Sequence, residues 1–263
     1  MSFLAGRSVQ TGLYLTAGST ARSLVRSITS LRPHRWIGDP CGTIRHNGRY
    51  LPYSWGAAQS DDLLHWTEIN DHAIKGLPKG TAAFTGSVVA DRENSAGYGE
   101  DALIAVFTSF DEASKKQSQS IAFSHDGGLS YSFYDGNPVL DIWSTEFRDP
   151  TVIRDREHGR WIMLVAKALE KKVAFYGSTD LKHWEWLSDF GPMGDSQRSW
   201  ECPDMFRLPV EGTDRRKWVM VISTALPMRA WSLRPTGLWN LIFSLISRRS
   251  RFLPTAAKEC SRS

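Results

Sequence analysis

The sequence predicts an all-β protein of the propeller type. Three observations carry that prediction. A unit of inner strand, middle strand, polar turn and outer strand recurs about every 50 residues, as in tandem four-stranded blades. A polar turn motif recurs inside each unit. Helical periodicity is missing from the whole repeating region.

The turn motif is Ser-x-Asp-Leu-x-x-Trp. It occurs as SDDLLHW at residues 60–66 and STDLKHW at 178–184, with SHDGGLSY at 124–131 as a looser copy. Ser and Asp side chains bond nearby backbone amides, so each copy reads as a turn leading to an outer strand. Before each turn, and second in the fourth unit, comes an apolar and aromatic middle strand. These are RYLPYSW from Arg49, ALIAVFTS from Ala102, RWIMLVA from Arg160 and KWVMVIST from Lys217. A third segment precedes each of them and reads as the inner strand: GDPCGTI from Gly38, FTGSVVA from Phe84, FRDPTVI from Phe147 and ECPDMFRL from Glu201. Three blades follow, over about 36–70, 84–135 and 147–190. A fourth begins at Trp200 and stops after two strands.

Composition excludes several function classes. The chain has 263 residues, 41% of them hydrophobic, which is enough for a substantial core. Its eleven Trp are many, and aromatic-rich short-strand proteins often stack rings on sugars. Of the net charge of +4, residues 1–38 carry +5 and residues 225–263 carry +6, which leaves −7 on residues 39–224. An acidic middle argues against a nucleic-acid groove. Three Cys (Cys41, Cys202 and Cys260) describe neither a disulfide framework nor a zinc site, and no metal is expected. The longest apolar run, residues 238–246, is about half a membrane span, so no membrane span is expected. Residues 1–33, rich in Ser and Arg, read as a poorly structured basic leader, 34–224 as the propeller domain and 225–263 as an atypical basic tail. No Asn-x-Ser/Thr sequon occurs.

The chemistry gathers where inner strands begin. The openings of inner strands one, three and four carry Asp39, Asp149 and Glu201. Inner strands line the propeller axis, so three carboxylates from distant sequence positions converge on one funnel. A Pro after each Asp fixes φ where no ladder donor is needed. Arg148, beside Asp149, can hold a carboxylate or a sugar hydroxyl. Converging carboxylates serve metal binding or acid/base and nucleophilic work, and glycosidases need two of them across the scissile bond.

Four motifs, in order, resemble glycoside hydrolase family 32, the invertases, inulinases and levanases. WIGDPCG (36–42) resembles the family's Trp-Met-Asn-Asp-Pro-Asn-Gly box, with Gly38 and Cys41 where Asn is common. FTGS (84–87) resembles its Trp-Ser-Gly-Ser box, FRDP (147–150) its Arg-Asp-Pro box and ECP (201–203) its Glu-Cys box; QSIAFSHDGGLSY also looks family-like. The similarity covers about residues 34–224. It implies a five-bladed β-propeller, incomplete here at about three and a half blades, with the family's C-terminal β-sandwich absent. It implies a retaining hydrolase of β-fructofuranosides (sucrose, inulin or levan) that needs no cofactor. Asp39 becomes the nucleophile, Glu201 the acid/base about 5 Å from it, and Asp149 the transition-state stabiliser. Arg148, Trp36, Trp55, Phe84 and Ser87 become substrate-binding residues. The resemblance also favours an extracellular location.

A second functional class stays open: a non-catalytic remnant, or sugar-binding propeller fragment. A five-bladed arabinan- or xylan-cleaving enzyme fits the Arg-Asp-Pro and Glu-Cys boxes less well. With the fourth blade half present, the chain by itself is expected to be inactive or barely stable, because an unclosed propeller exposes apolar faces and strand edges.

Overall fold

A computed structural model describes residues 41–53, 55, 57–62, 65, 67–70, 73–193, 198–210, 212–224 and 242–244. Every regular element among them is a strand. Among the described residues no helix is long and apolar enough to cross a membrane.

The strands form four sheets in chain order. Blade one runs β1 (Cys41–His46), β2 (Arg49–Tyr53), β3 (Ala57–Gln59), β4 (Thr67–Asn70). A short β5 (Ile74–Lys75) leads to blade two, which is built on β6 (Thr81–Asp91), β7 (Ala102–Asp111), β8 (Gln117–Ser124) and β9 (Tyr131–Phe133), with β10 (Leu140–Ser144) added. Blade three is β11 (Phe147–Asp155), β12 (Arg160–Lys167), β13 (Lys172–Ser178), β14 (Glu185–Phe190). The fourth sheet is β15 (Trp200–Pro209), β16 (Arg216–Thr224), β17 (Ile242–Ser244). The inner strands β1, β6, β11 and β15 pack side by side in that order.

Two details differ from the sequence expectation. Two strands are predicted for the fourth blade; a third, β17, pairs antiparallel with β16 through Ile242, Phe243 and Ser244. It comes from the short apolar run of the tail, which is too brief to show strand alternation. Blade two also has a divided outer edge. Strand β9 covers Ala122 and Phe123 of β8, whereas β10 covers Gln117 and Gln119. Between them the Asn137 side-chain amide stands in for a strand, bonding both the N–H and the C=O of Ile121 at 2.8 Å. A strand as long as β8 beside a three-residue outer strand leaves backbone groups that something must satisfy.

The cores lie between blades. Successive residues of a strand face opposite sides. On β7, Leu103, Ala105 and Phe107 pack toward blade one, with Leu51, Ile74 and Val88. Their neighbours Ala102, Ile104 and Val106 pack toward blade three, with Phe147, Val152, Trp161, Met163 and Val165. On β12 the other face, Ile162 and Leu164, meets Trp200, Met220 and Ile222 of the fourth sheet. This two-sided burial explains why these middle strands are continuous apolar runs rather than alternating ones. Each large side chain so buried contributes about 1.5–3 kcal/mol.

The Ser-x-Asp turns form as expected. Ser60 Oγ and Ser178 Oγ each donate to the Asp two residues on, Asp62 and Asp180, at 3.1 Å. Each Asp then accepts the amide and ring Nδ1 of the His three residues further, His65 or His183, at 2.8 and 2.6 Å in both blades. In blade two, Ser130 takes the place of the His.

Candidate active site

Each inner strand carries the same irregularity near its start. Three residue steps on the inner strand stand against two on the middle strand. Cys41 and Ile44 face Tyr53 and Leu51. Ala83 and Gly86 face Ser109 and Phe107. Arg148 and Thr151 face Ala166 and Leu164. Glu201 and Asp204 face Ser223 and Val221. This is a β-bulge repeated in register around the axis, and a bulge re-aims the side chains beside it. The first extra residue is left-handed in three of the four: Gly42 (φ 65°), Asp149 (φ 62°) and Cys202 (φ 46°). For Asp and Cys that conformation is sparsely populated and must be held by surroundings. Within blade two, Gly86 closes the bulge because a Cβ there would meet Val106 O at 2.1 Å.

The bulges stagger the two described acids. Asp149 is the first bulge residue of blade three. Glu201 precedes the bulge of its own strand by one, the position that Arg148 holds in blade three. The pairs Arg148–Asp149 and Glu201–Cys202 therefore interlock across the blades. Arg148 Nη2 donates to Glu201 Oε1 at 2.8 Å, and Cys202 N–H donates to Asp149 Oδ2 at 3.0 Å. The Cys202 thiol lies 3.6 Å from the same oxygen. Arg148 Nη1 bonds Glu146 Oε2 and reaches Gln117 Oε1 at 3.4 Å. Burial penalises the Arg148 guanidinium, but its hydrogen bonds to Glu146 and Glu201 outweigh this and raise its pKa above the ordinary value. Asp149 is buried; Glu146, Arg148 and Glu201 are partly open.

The remaining expected residues fall in two groups. Trp36 and Asp39 lie outside the described residues. Trp55, also left-handed (φ 56°), donates from Nε1 to Phe84 O at 2.6 Å. Phe84 is exposed and stacks on Phe110 at 4.6 Å. Ser87 is buried, and its hydroxyl accepts the Val152 amide at 3.0 Å, joining blades two and three.

The Glycosyl hydrolases family 32 N-terminal domain matches residues 32–232. The chain belongs to glycoside hydrolase family 32. An invertase of Schizosaccharomyces pombe is 38% identical over 215 residues, covering 72% of this chain and 36% of that protein. The crystal structure of an exo-inulinase from Aspergillus awamori superposes with a TM-score of 0.67 at 34% identity, over 72% of this chain and 44% of that one. A fructofuranosidase from Schwanniomyces occidentalis, solved complexed with fructose, superposes with a TM-score of 0.65 at 33% identity, over 72% and 40%. The chain thus spans less than half the length of these relatives.

Within this family 32 chain, the described residues hold no group of three or more His, Cys, Asp or Glu placed to bind a metal ion. Sequence reasoning missed several polar residues around the site. Gln117, Gln119 and Thr108 are buried beside Arg148 and Asp149, and the alternating QSQS run at 117–120 was the only signal of the two glutamines: apolar residues are usual at such positions. Asp204, three residues after Glu201, is also buried. Its Oδ1 accepts the Met205 amide at 2.8 Å, while nothing among the described residues bonds Oδ2. Burial pushes its carboxyl up to about 6.

Proposed function

We propose that this chain carries the catalytic face of a retaining β-fructofuranosidase. The observation that supports the reading best is the interlock of Arg148–Asp149 with Glu201–Cys202 across adjacent blades, at 2.8 and 3.0 Å. It gathers a carboxylate aimed by a bulge, a second carboxylate partly open to substrate and a guanidinium between them.

In this reading the Asp39 carboxylate attacks the anomeric carbon of a terminal fructosyl unit. Glu201, protonated, gives its proton to the glycosidic oxygen as that bond breaks. The fructosyl unit is then held as an ester of Asp39. Ionised Glu201 takes a proton from water, which attacks the same carbon and frees Asp39, so configuration is retained. Asp149 holds fructose hydroxyls and strengthens that hold as charge develops on the ring. Arg148 fixes the Glu201 carboxyl. Phe84, Trp55 and, from the first box, Trp36 wall the pocket, and Ser87 supports it from behind. The substrate class is fructose-terminated sugar, namely sucrose, inulin or levan.

The test is to express the chain and measure fructose release from sucrose, inulin and levan, with the first-formed anomer read by NMR. Release of β-fructofuranose is expected: the inactivity foreseen for the chain by itself assumed a fourth blade of two strands, and β17 adds a third to it. Initial release of the α-anomer would sink the retaining mechanism. Sugar binding without turnover would instead favour a non-catalytic binding module.

A further inference from the structure

The bulge that carries Asp149 is not held by its own sheet alone. Phe147 N–H donates to Gln117 Oε1 at 3.0 Å, and Gln119 Nε2 donates to Phe147 O at 2.8 Å. Asp149 N–H donates to Thr108 Oγ1 at 3.0 Å, and Thr108 in turn donates to Gln119 Oε1 at 2.9 Å. Three backbone groups around Arg148 therefore end on side chains of blade two. Thr108 and Gln119 are directly opposed across β7 and β8, and Gln117 and Gln119 share one face of β8. Thr108 and Gln119 are fully buried and Gln117 is 5% exposed, so water does not compete for these bonds.

The arrangement has a counterpart one blade on. There the amide of the first bulge residue, Cys202, ends on the Asp149 carboxylate of the preceding blade. In both blades a left-handed, non-glycine residue is fixed through its N–H by a side chain from the blade before. A buried N–H left without an acceptor is costly, so removing the acceptor releases the conformation. For Asp149 that release also moves the carboxylate that receives Cys202.

We propose that Thr108, Gln117 and Gln119 form a positioning ledge on blade two that holds Arg148 and Asp149 in their working conformation. The inference rests on the fructosidase reading for its effect on rate, but not for its effect on the backbone. Ser109 and Ser120 supply a control. Their hydroxyls pair at 2.8 Å between the same two strands and both residues are buried, but they face blade one.

The test uses the full 263-residue chain with Thr108→Val, Thr108→Ser and Ser109→Ala. Thr108→Val keeps shape and removes the hydroxyl with both its bonds, to the Asp149 amide and to Gln119; it is expected to lower kcat on sucrose about tenfold with KM within about twofold, roughly the share of the bond to the Asp149 amide. Thr108→Ser restores the hydroxyl and should recover at least half of that rate. Ser109→Ala should keep the wild-type rate. In parallel, NMR hydrogen exchange should show the Asp149 amide exchanging about tenfold faster in Thr108→Val, with Ile104 and Val165 unchanged. Equal losses in Thr108→Val and Ser109→Ala, or an unaltered Asp149 exchange rate, would overturn the ledge. If the wild-type chain releases no fructose, the functional reading fails separately, and the Asp149 exchange rate alone decides whether the ledge holds the bulge.

Discussion

Arg148 of blade three donates through Nη2 to Glu201 Oε1 of the fourth sheet at 2.8 Å, while its Nη1 bonds Glu146. One planar guanidinium thus bridges two carboxylates, one from the bend before β11 and one from β15. It also fixes the Glu201 carboxyl at the mouth of a bulge, where a free Glu would sample several rotamers.

Arg148→Lys tests that bridge. A lysine keeps the charge but offers a point donor in place of a rigid fork. It can serve Glu201 or Glu146, not both in the same geometry. The fold should persist, because Arg148 lies at the rim of the core. We expect kcat/KM on sucrose to fall at least about tenfold, the cost of one displaced catalytic group. Circular dichroism should show an unfolding midpoint close to wild type. Full activity in Arg148→Lys would show that charge alone suffices.

Glu201→Gln separates proton donation from substrate binding. The amide keeps the size of the side chain and still meets Arg148, but has no proton to give. Sucrose has a poor leaving group and should lose most of its rate. An aryl fructoside with an acidic phenol needs little protonation and should keep much of its first-step rate. Burst kinetics on the two substrates measures the difference. Equal losses on both would mean that Glu201 is structural.

Much of this was legible in the sequence, for a physical reason. Strand pattern and turn chemistry are local, so the blades and the Ser-Asp turns could be read from runs such as ALIAVFTS and STDLKHW. The nearness of Asp149 and Glu201 could be read because Arg-Asp-Pro and Glu-Cys stand at strand starts. The stagger of Asp149 against Glu201 could not, since a bulge is a property of two paired strands and not of one. Nor could the ledge of Gln117, Gln119 and Thr108. Their partners are backbone groups about 30–40 residues away, and hydrogen bonds to backbone leave no complementary side chain to find. The strand β17 escaped because three residues are too few to show a period.

The blade turns make the protein acid-sensitive. Partial burial pushes the Asp180 carboxyl up, but hydrogen bonds from the His183 ring, the His183 and Lys182 amides and Ser178 outweigh this and take it down to about 2. A carboxyl lower in the folded chain than in the unfolded one, where it is 3.8, stabilises the fold above that value. The contribution fades as pH falls from about 4 to about 2. Asp180→Ala should therefore lower the unfolding midpoint at pH 7. The gap between variant and wild type should close as the pH approaches 2. Thermal melts across that range give the answer, and a gap that stays constant with pH would assign the effect to packing instead.

Asp204 should act in the opposite sense. Asp204 is 4% exposed, and among the described residues only its neighbour's amide, Met205 N–H, helps to stabilise the charged form. Desolvation dominates and pushes the folded value from 3.8 to about 6. The folded chain therefore binds this proton more tightly than the unfolded chain does. Below about pH 4 both states are protonated and the full benefit is present. Between about pH 4 and 6 the unfolded state ionises first, so stability declines with rising pH, and above that it levels off. A shift of this size corresponds to roughly 3 kcal/mol at 1.36 kcal/mol per unit. Asp204→Asn removes the ionisation while Oδ1 can still accept the Met205 amide. It should be more stable than wild type at pH 7 by about 2–3 kcal/mol and nearly equal to it at pH 4. Urea unfolding at the two pH values measures both numbers. If Asp204→Asn is less stable at pH 7, the charged carboxylate is needed, and a cationic partner must reach Asp204 in the folded protein.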